Sequence, residues 1–132
     1  MERKNISSGT HWEGVMGYSR AVRAGDMVFV SGTTATDANG NIVGDDYAAQ
    51  TRFVIEKIEQ ALMEAGASLK DVVRTRVFVV DATQWEQVAA VHGEFFGGVR
   101  PANTLVEISA LVSTGYLVEI EVDAIIGAGD AL

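Results

Sequence analysis

Near the C-terminus, Val118, Ile120 and Val122 alternate with Glu119, Glu121 and Asp123. Successive side chains of a strand point to opposite faces, so this pattern predicts a β-strand with one apolar face and a row of carboxylates on the other. Before it, Leu105, Val106 and Ile108 are strand formers that follow the chain break at Pro101. Earlier, Ser19 to Ala24 and Met27 to Thr33 read as two strands joined by the hairpin signal Gly25-Asp26. Asp37 to Asn41 carries turn chemistry, with Asn39-Gly40 suited to positive φ. From Asp46 to Ala65 the period becomes helical: Tyr47, Thr51, Val54, Ile55, Ile58, Leu62 and Ala65 share a stripe, and Gly66 stands where a left-handed C-cap is needed. The run VVRTRVFVVD predicts a middle strand with Val73, Thr75, Val77 and Val79 on one face and Arg74, Arg76, Phe78 and Val80 on the other. A second helix opens at a capping box over Thr83 to Glu86, presents Trp85, Val88, Ala89, His92, Phe95 and Phe96, and stops at Gly97-Gly98.

The order β-β-α-β-α-β-β is not the strict alternation of a doubly wound fold. It predicts an α+β sandwich, a mixed sheet with both helices on one face. The other face would carry Arg74, Arg76 and Phe78 beside the Glu119, Glu121 and Asp123 row, a mixture ill suited to plain solvent surface. Covering that face with further copies of the chain predicts a homo-oligomer.

With 132 residues, 48% of them hydrophobic, and no repeat or linker, the expectation is a single domain over 1–132. The absence of cysteine removes disulfide and thiol chemistry and fits a cytoplasmic setting. No apolar run approaches membrane-spanning length, and the opening MERKNISSGTHWEG lacks the apolar stretch of a secretory signal. A net charge of −8 repels a phosphate backbone and argues against nucleic-acid partners, yet allows a small anionic ligand held by local arginines. His11 and His92 lie far apart and the acids are scattered, so no metal or other cofactor is expected.

The stretch Pro101-Ala102-Asn103-Thr104-Leu105-Val106-Glu107-Ile108, followed by the acidic strand Val118-Glu119-Ile120-Glu121, resembles the Rid (reactive intermediate deaminase, YjgF) family, whose members carry P-A-R-x-x-V-E-V and then V-E-I-E. Gly17-Tyr18, the run from Gly25 to Gly32, the entry Asp71 to Thr75 and Phe95-Phe96 extend the resemblance over about Gly17 to Ile126. It implies a chorismate-mutase-like fold, a homotrimer with ligand clefts between neighbouring subunits, and a substrate that is an imine or enamine derived from an amino acid. In deaminase members an arginine clamps the substrate carboxylate, a glutamate on the last strand positions the hydrolytic water, and a tyrosine and a Ser-Gly line the cleft. The matching residues here are Glu119, Tyr18, Ser31 and Gly32. The turn before Glu119 is one residue longer than in better-known members. Asn103 stands where the arginine would be, and a neutral, shorter side chain cannot make a bidentate pair with a carboxylate. The chain thus reads as a divergent branch of the family.

Glu119 is the candidate catalytic residue, because water attack on a C=N carbon needs a base and a carboxylate in a dry cleft is tuned toward neutrality. The alternative is a structural ion pair with an arginine such as Arg76, which is itself a candidate replacement anion clamp. Arg100 beside Pro101 could reach the cleft mouth. Ser31, Gly32, Thr33 and Thr34 end a strand with small residues that either line a ligand or pack closely. Tyr18 is equally a ligand contact or a packing residue. His92 reads as a core or interface histidine, and His11 and Trp12 as a pocket lid or an anchor for the N-terminal arm. Two function classes follow: a hydrolase of reactive imines or enamines, and a non-catalytic metabolite-binding module. Ribonuclease chemistry needs paired histidines and a phosphate clamp, and the acidic surface opposes it.

Overall fold

The computed structural model describes Met1–Leu132. Six strands, β1 (Arg3–Ile6), β2 (Ala21–Ala24), β3 (Met27–Thr33), β4 (Val72–Val79), β5 (Ala102–Glu107) and β6 (Val118–Ile125), form one mixed sheet in the order β1-β2-β3-β6-β4-β5. Only β4 and β5 run parallel. Three helices accompany it: α1 (His11–Met16), α2 (Tyr47–Glu64) and α3 (Trp85–Phe96). The long helices α2 and α3 pack on each other, and α2 lies across β3 and β6. Between sheet and helices sits a core of 23 buried residues, among them Val54, Ile55, Ile58, Leu62, Val77, Val79, Ile120 and Val122. This is the expected α+β arrangement.

Local chemistry explains most boundaries. Asp46 caps α2 by accepting a hydrogen bond from the Ala49 N–H at 2.7 Å, and Gly66 takes φ +90° just beyond the helix. Asp37 Oδ1 accepts from the N–H groups of Asn39 and Asn41, closing the turn before α2.

Three local expectations are corrected. The register against β6 shifts between Val72 and Arg74, so Val72 takes the buried position and Val73 is exposed. The second long helix is not opened by Thr83. Asp81 accepts from the Thr83 N–H and starts a 3₁₀ turn over Ala82–Gln84 that feeds into α3. The N-terminal arm, given no element in the expected order, supplies β1, paired to β2, and the short helix α1.

The two C-terminal strands are not neighbours. β5 lies at the sheet edge, and the chain then crosses back so that β6 inserts between β3 and β4. A central position explains why Val118, Ile120 and Val122 are wholly buried. On the open face Glu119, Glu121 and Asp123 stand opposite Phe78, Arg76 and Arg74.

One polar residue inside the core ties the loops together. Gln50 is 1% exposed; its amide donates to the carbonyls of Gly44 and Gly115 and accepts from the Leu117 N–H. Gln50→Ala removes all three bonds from part-buried backbone groups and leaves a small cavity in the core, so a loss of about 2–3 kcal/mol is expected. Denaturant unfolding of the variant checks this, and an unchanged midpoint would contradict it.

Candidate active site

The acidic strand β6 and the end of β3 meet at a close contact. Gly32 lies against the Glu119 carboxylate so tightly that a Cβ there would stand 2.9 Å from Glu119 Cδ. The neighbouring register shift between Val30 and Thr33 lets β3 bend at this point. Glu119, Gly32, Ser31 and Tyr18 line one cavity of about 350 Å³. Thr10, Trp12, Met16, Arg20, Thr34, Thr36, Lys57 and Glu121 also belong to its lining. Thr34 and Thr36 share a hydrogen bond of 2.9 Å, and Thr36 is bonded to Tyr116 at 2.6 Å. These bonds fix the wall while leaving hydroxyl lone pairs able to serve a ligand. Ser31 donates its hydroxyl to the Ser19 carbonyl and is therefore held as an acceptor toward the cavity.

The electrostatics of this cavity act on Glu119. Burial pushes its carboxyl above the ordinary value; Arg20 opposes the shift and Glu121 adds to it. Arg20, 5% exposed, donates to the Gly32 carbonyl and lies 5.8 Å from the Tyr18 ring. It forms no salt bridge with Glu119. Lys57, in the same lining, donates to the carbonyls of Thr34 and Thr36. Burial and the nearby Arg20 guanidinium pull its ammonium down to about 8, against the attraction of Glu13 and Asp37.

The segment roofing the cavity is latched by Glu13. The carboxylate accepts from the hydroxyls of Ser7, Ser8 and Thr10 and from the Ser8 N–H. Burial alone would raise Glu13, yet these bonds outweigh it and hold the carboxyl at about 2. Trp12 on this segment, with Thr10, Thr36 and Lys57, also borders a second cavity of about 480 Å³ on the side of Asp37 and Asn39.

The other candidates lie elsewhere in the protomer. Thr33 is fully buried and donates to the Ser31 carbonyl. Arg76 pairs with Glu121 and Asp123, at 3.4 and 3.3 Å, rather than with Glu119, and meets the cavity only through Glu121. Arg100 has φ 58° at the end of α3 and is exposed, outside the cavity wall. Asn103 donates to Thr75 Oγ1 at 2.8 Å, and that hydroxyl also meets His92 Nε2 at 2.9 Å. Asn103 and Thr75 stand on the helix-facing side of the sheet, whereas Glu119 pairs with Phe78 on the open side. Within one chain the two residues therefore cannot touch a common small ligand. Burial alone lowers His92, in keeping with a core histidine. Sequence reading passed over Arg20 and Lys57. Lys57 is a charged residue beside the apolar stripe of α2, and Arg20 falls in the Ser19 to Ala24 run, where nothing in the pattern distinguishes it from Arg23.

Comparison with known proteins places this geometry. Residues 10–126 match the family model described as Endoribonuclease L-PSP. A structure of Rv2704 from Mycobacterium tuberculosis, described as a member of the YjgF/YER057c/UK114 family, is 50% identical and superposes with a TM-score of 0.88 over 95% of this chain and all of the other. The 3-aminoacrylate deaminase RutC of Acinetobacter baylyi is 39% identical over 78% of this chain and 82% of its own. An uncharacterized protein of Streptomyces coelicolor is 37% identical over 97% and 96% of the two chains. With matches across the same elements that carry Tyr18, Ser31, Gly32 and Glu119, the chain belongs to the YjgF/Rid family.

Proposed function

We propose that this protein hydrolyses small reactive imines, and enamines through their imine tautomers, with Glu119 as the base that activates water. The observation that carries the reading is a buried carboxylate, raised above its ordinary value, held against Gly32 in a cavity that Tyr18 and Ser31 also line. Glu119 takes a proton from water as its oxygen bonds to the C=N carbon. The nitrogen gains a proton, and collapse of the tetrahedral adduct expels ammonia and leaves a carbonyl, with the proton on Glu119 returned in the process. One imine and one water thus give one ketone and one ammonia. The family membership and the deaminase activity in the name of the Acinetobacter relative support a deaminase-type role.

A homotrimer is part of the same reading. Phe29, Met27, Ile125 and Val106 lie exposed around the Arg76–Glu121–Asp123 cluster, on the sheet face that no helix covers. β5 also leaves an unpaired edge beside Asn103 and Thr104. Light scattering should return three times the 14.1 kDa chain mass, and a monomer at micromolar concentration would contradict it. The absence of cysteine fits a cytoplasmic setting for the assembly, and no helix is long and apolar enough to cross a membrane.

A second reading, non-catalytic metabolite binding in the same cavity, is favoured by one observation: Asn103, at the position of the family arginine, is already engaged by Thr75. The test generates 2-aminoacrylate from serine in situ and follows 2-keto acid release. Acceleration by the protein supports hydrolysis, and ligand binding without acceleration supports the second reading.

A further inference from the structure

Two cations face the cavity without an acid within ion-pairing distance. None of the salt bridges in the protein involves Arg20 or Lys57. Arg20 is 5% exposed, and its Nε has no hydrogen-bond partner although it is buried. A buried guanidinium N–H left open is costly, and such a group is retained where something outside the chain completes it. Lys57 spends its ammonium on two backbone carbonyls, those of Thr34 and Thr36, neither of which carries a compensating charge. The two cations are close enough to repel, since the Arg20 charge disfavours that of Lys57. Holding two like charges together in a half-dry cavity is unfavourable until an anion enters between them.

We propose that Lys57 and Arg20 form the anion subsite of this cavity and hold the carboxylate of the substrate, the task that Asn103 cannot perform. The inference rests on the hydrolytic reading above and narrows it to imines that bear a carboxylate beside the C=N carbon. The carboxylate would sit at Arg20 and Lys57, and the electrophilic carbon would be turned to Glu119, which lines the same cavity. Arg20 then serves both ends, because it also supports the Glu119 carboxylate electrostatically. The groups acting on Lys57 are Arg20, Glu13 from α1 and Asp37 from the turn after β3, and Glu119 and Glu121 of β6 line the same cavity. Binding of an anion should raise the Lys57 ammonium from about 8, so anion affinity is present below that value and falls as pH rises through it.

The test compares the intact protein with Lys57→Met and Lys57→Arg. Calorimetry measures binding of 2-oxobutyrate and of its uncharged amide, 2-oxobutanamide, and keto-acid release gives kcat and KM. The expected result is a 10- to 100-fold loss of 2-oxobutyrate affinity and a matching rise in KM for Lys57→Met, with kcat little changed. Lys57→Arg should recover most of the affinity, and the amide should bind all three forms equally weakly. Nitrogen-15 NMR of the Lys57 ammonium in the unaltered protein should show its titration move upward on adding 2-oxobutyrate, which needs no variant to fold. Active protein whose KM, anion affinity and lysine titration ignore these changes overturns the anion subsite while leaving hydrolysis at Glu119 intact. Protein that neither binds 2-oxobutyrate nor releases keto acid overturns both.

Discussion

Glu119→Gln is expected to lower imine hydrolysis by about 10²- to 10⁴-fold, the usual contribution of a positioned general base. The amide preserves the shape that packs against Gly32 but cannot accept a proton from water. The fold should survive, because Glu119 makes no salt bridge and stands on the open face opposite Phe78. Keto-acid release should therefore collapse while circular dichroism and oligomeric mass stay those of the parent. The pH profile carries the same signature. The base must be ionised, and burial holds Glu119 above the ordinary carboxylate value, so activity should fall on the acid side at a pH above that range. That acid limb should be missing from whatever activity the glutamine variant retains.

Gly32→Ala should be the second large loss, and it separates position from chemistry. An added Cβ would meet Glu119 Cδ at 2.9 Å, Oε2 at 3.1 Å and Cγ at 3.3 Å. Those atoms are the far end of a flexible side chain, so the carboxylate can move away and the backbone need not. Gly32 is not among the positive-φ glycines, so alanine meets no backbone strain there. The expected outcome is a drop of about 10- to 100-fold in kcat/KM from a carboxylate displaced by about an ångström, with thermal stability nearly unchanged. A fully active Gly32→Ala variant would show that the contact with Glu119 does not position the base.

The sequence was most legible where period speaks directly. The helix stripe of Val54, Ile55, Ile58 and Leu62, with its Asp46 cap and Gly66 stop, appears as α2 with those ends. The alternation over Val118 to Asp123 assigned each side chain of β6 to its face. Alternation does not say which strand lies beside which, however, and the placement of β6 between β3 and β4 emerged only in three dimensions. β1 escaped because Arg3-Lys4-Asn5-Ile6 has a single apolar residue and no alternation to read. α1 did carry a signal, since Thr10 followed three residues later by Glu13 is a capping-box spacing, but the structure forms no capping box there: the Thr10 hydroxyl donates to the Glu13 carboxylate at 2.9 Å instead.

At the site, Tyr18, Ser31, Gly32 and Glu119 were readable through family resemblance, and they line one cavity. Arg20, Lys57 and Thr36 were not, because each comes from a different segment and nothing in linear spacing links them. The partner of Arg76 is not legible in the alternation either. A strand face presents Glu119, Glu121 and Asp123 equally, and only the register places Arg76 beside Glu121.

The central claim is that the Glu119 cavity hydrolyses C=N bonds, and one rate tests it most directly. With 2-aminoacrylate generated from serine in situ, 2-keto acid release is followed with and without the purified protein. Hydrolysis at Glu119 predicts release faster than the spontaneous rate, in proportion to protein concentration, and a return to the spontaneous rate with Glu119→Gln. Release that the protein does not accelerate, or that the glutamine variant accelerates as well as the parent, would contradict it.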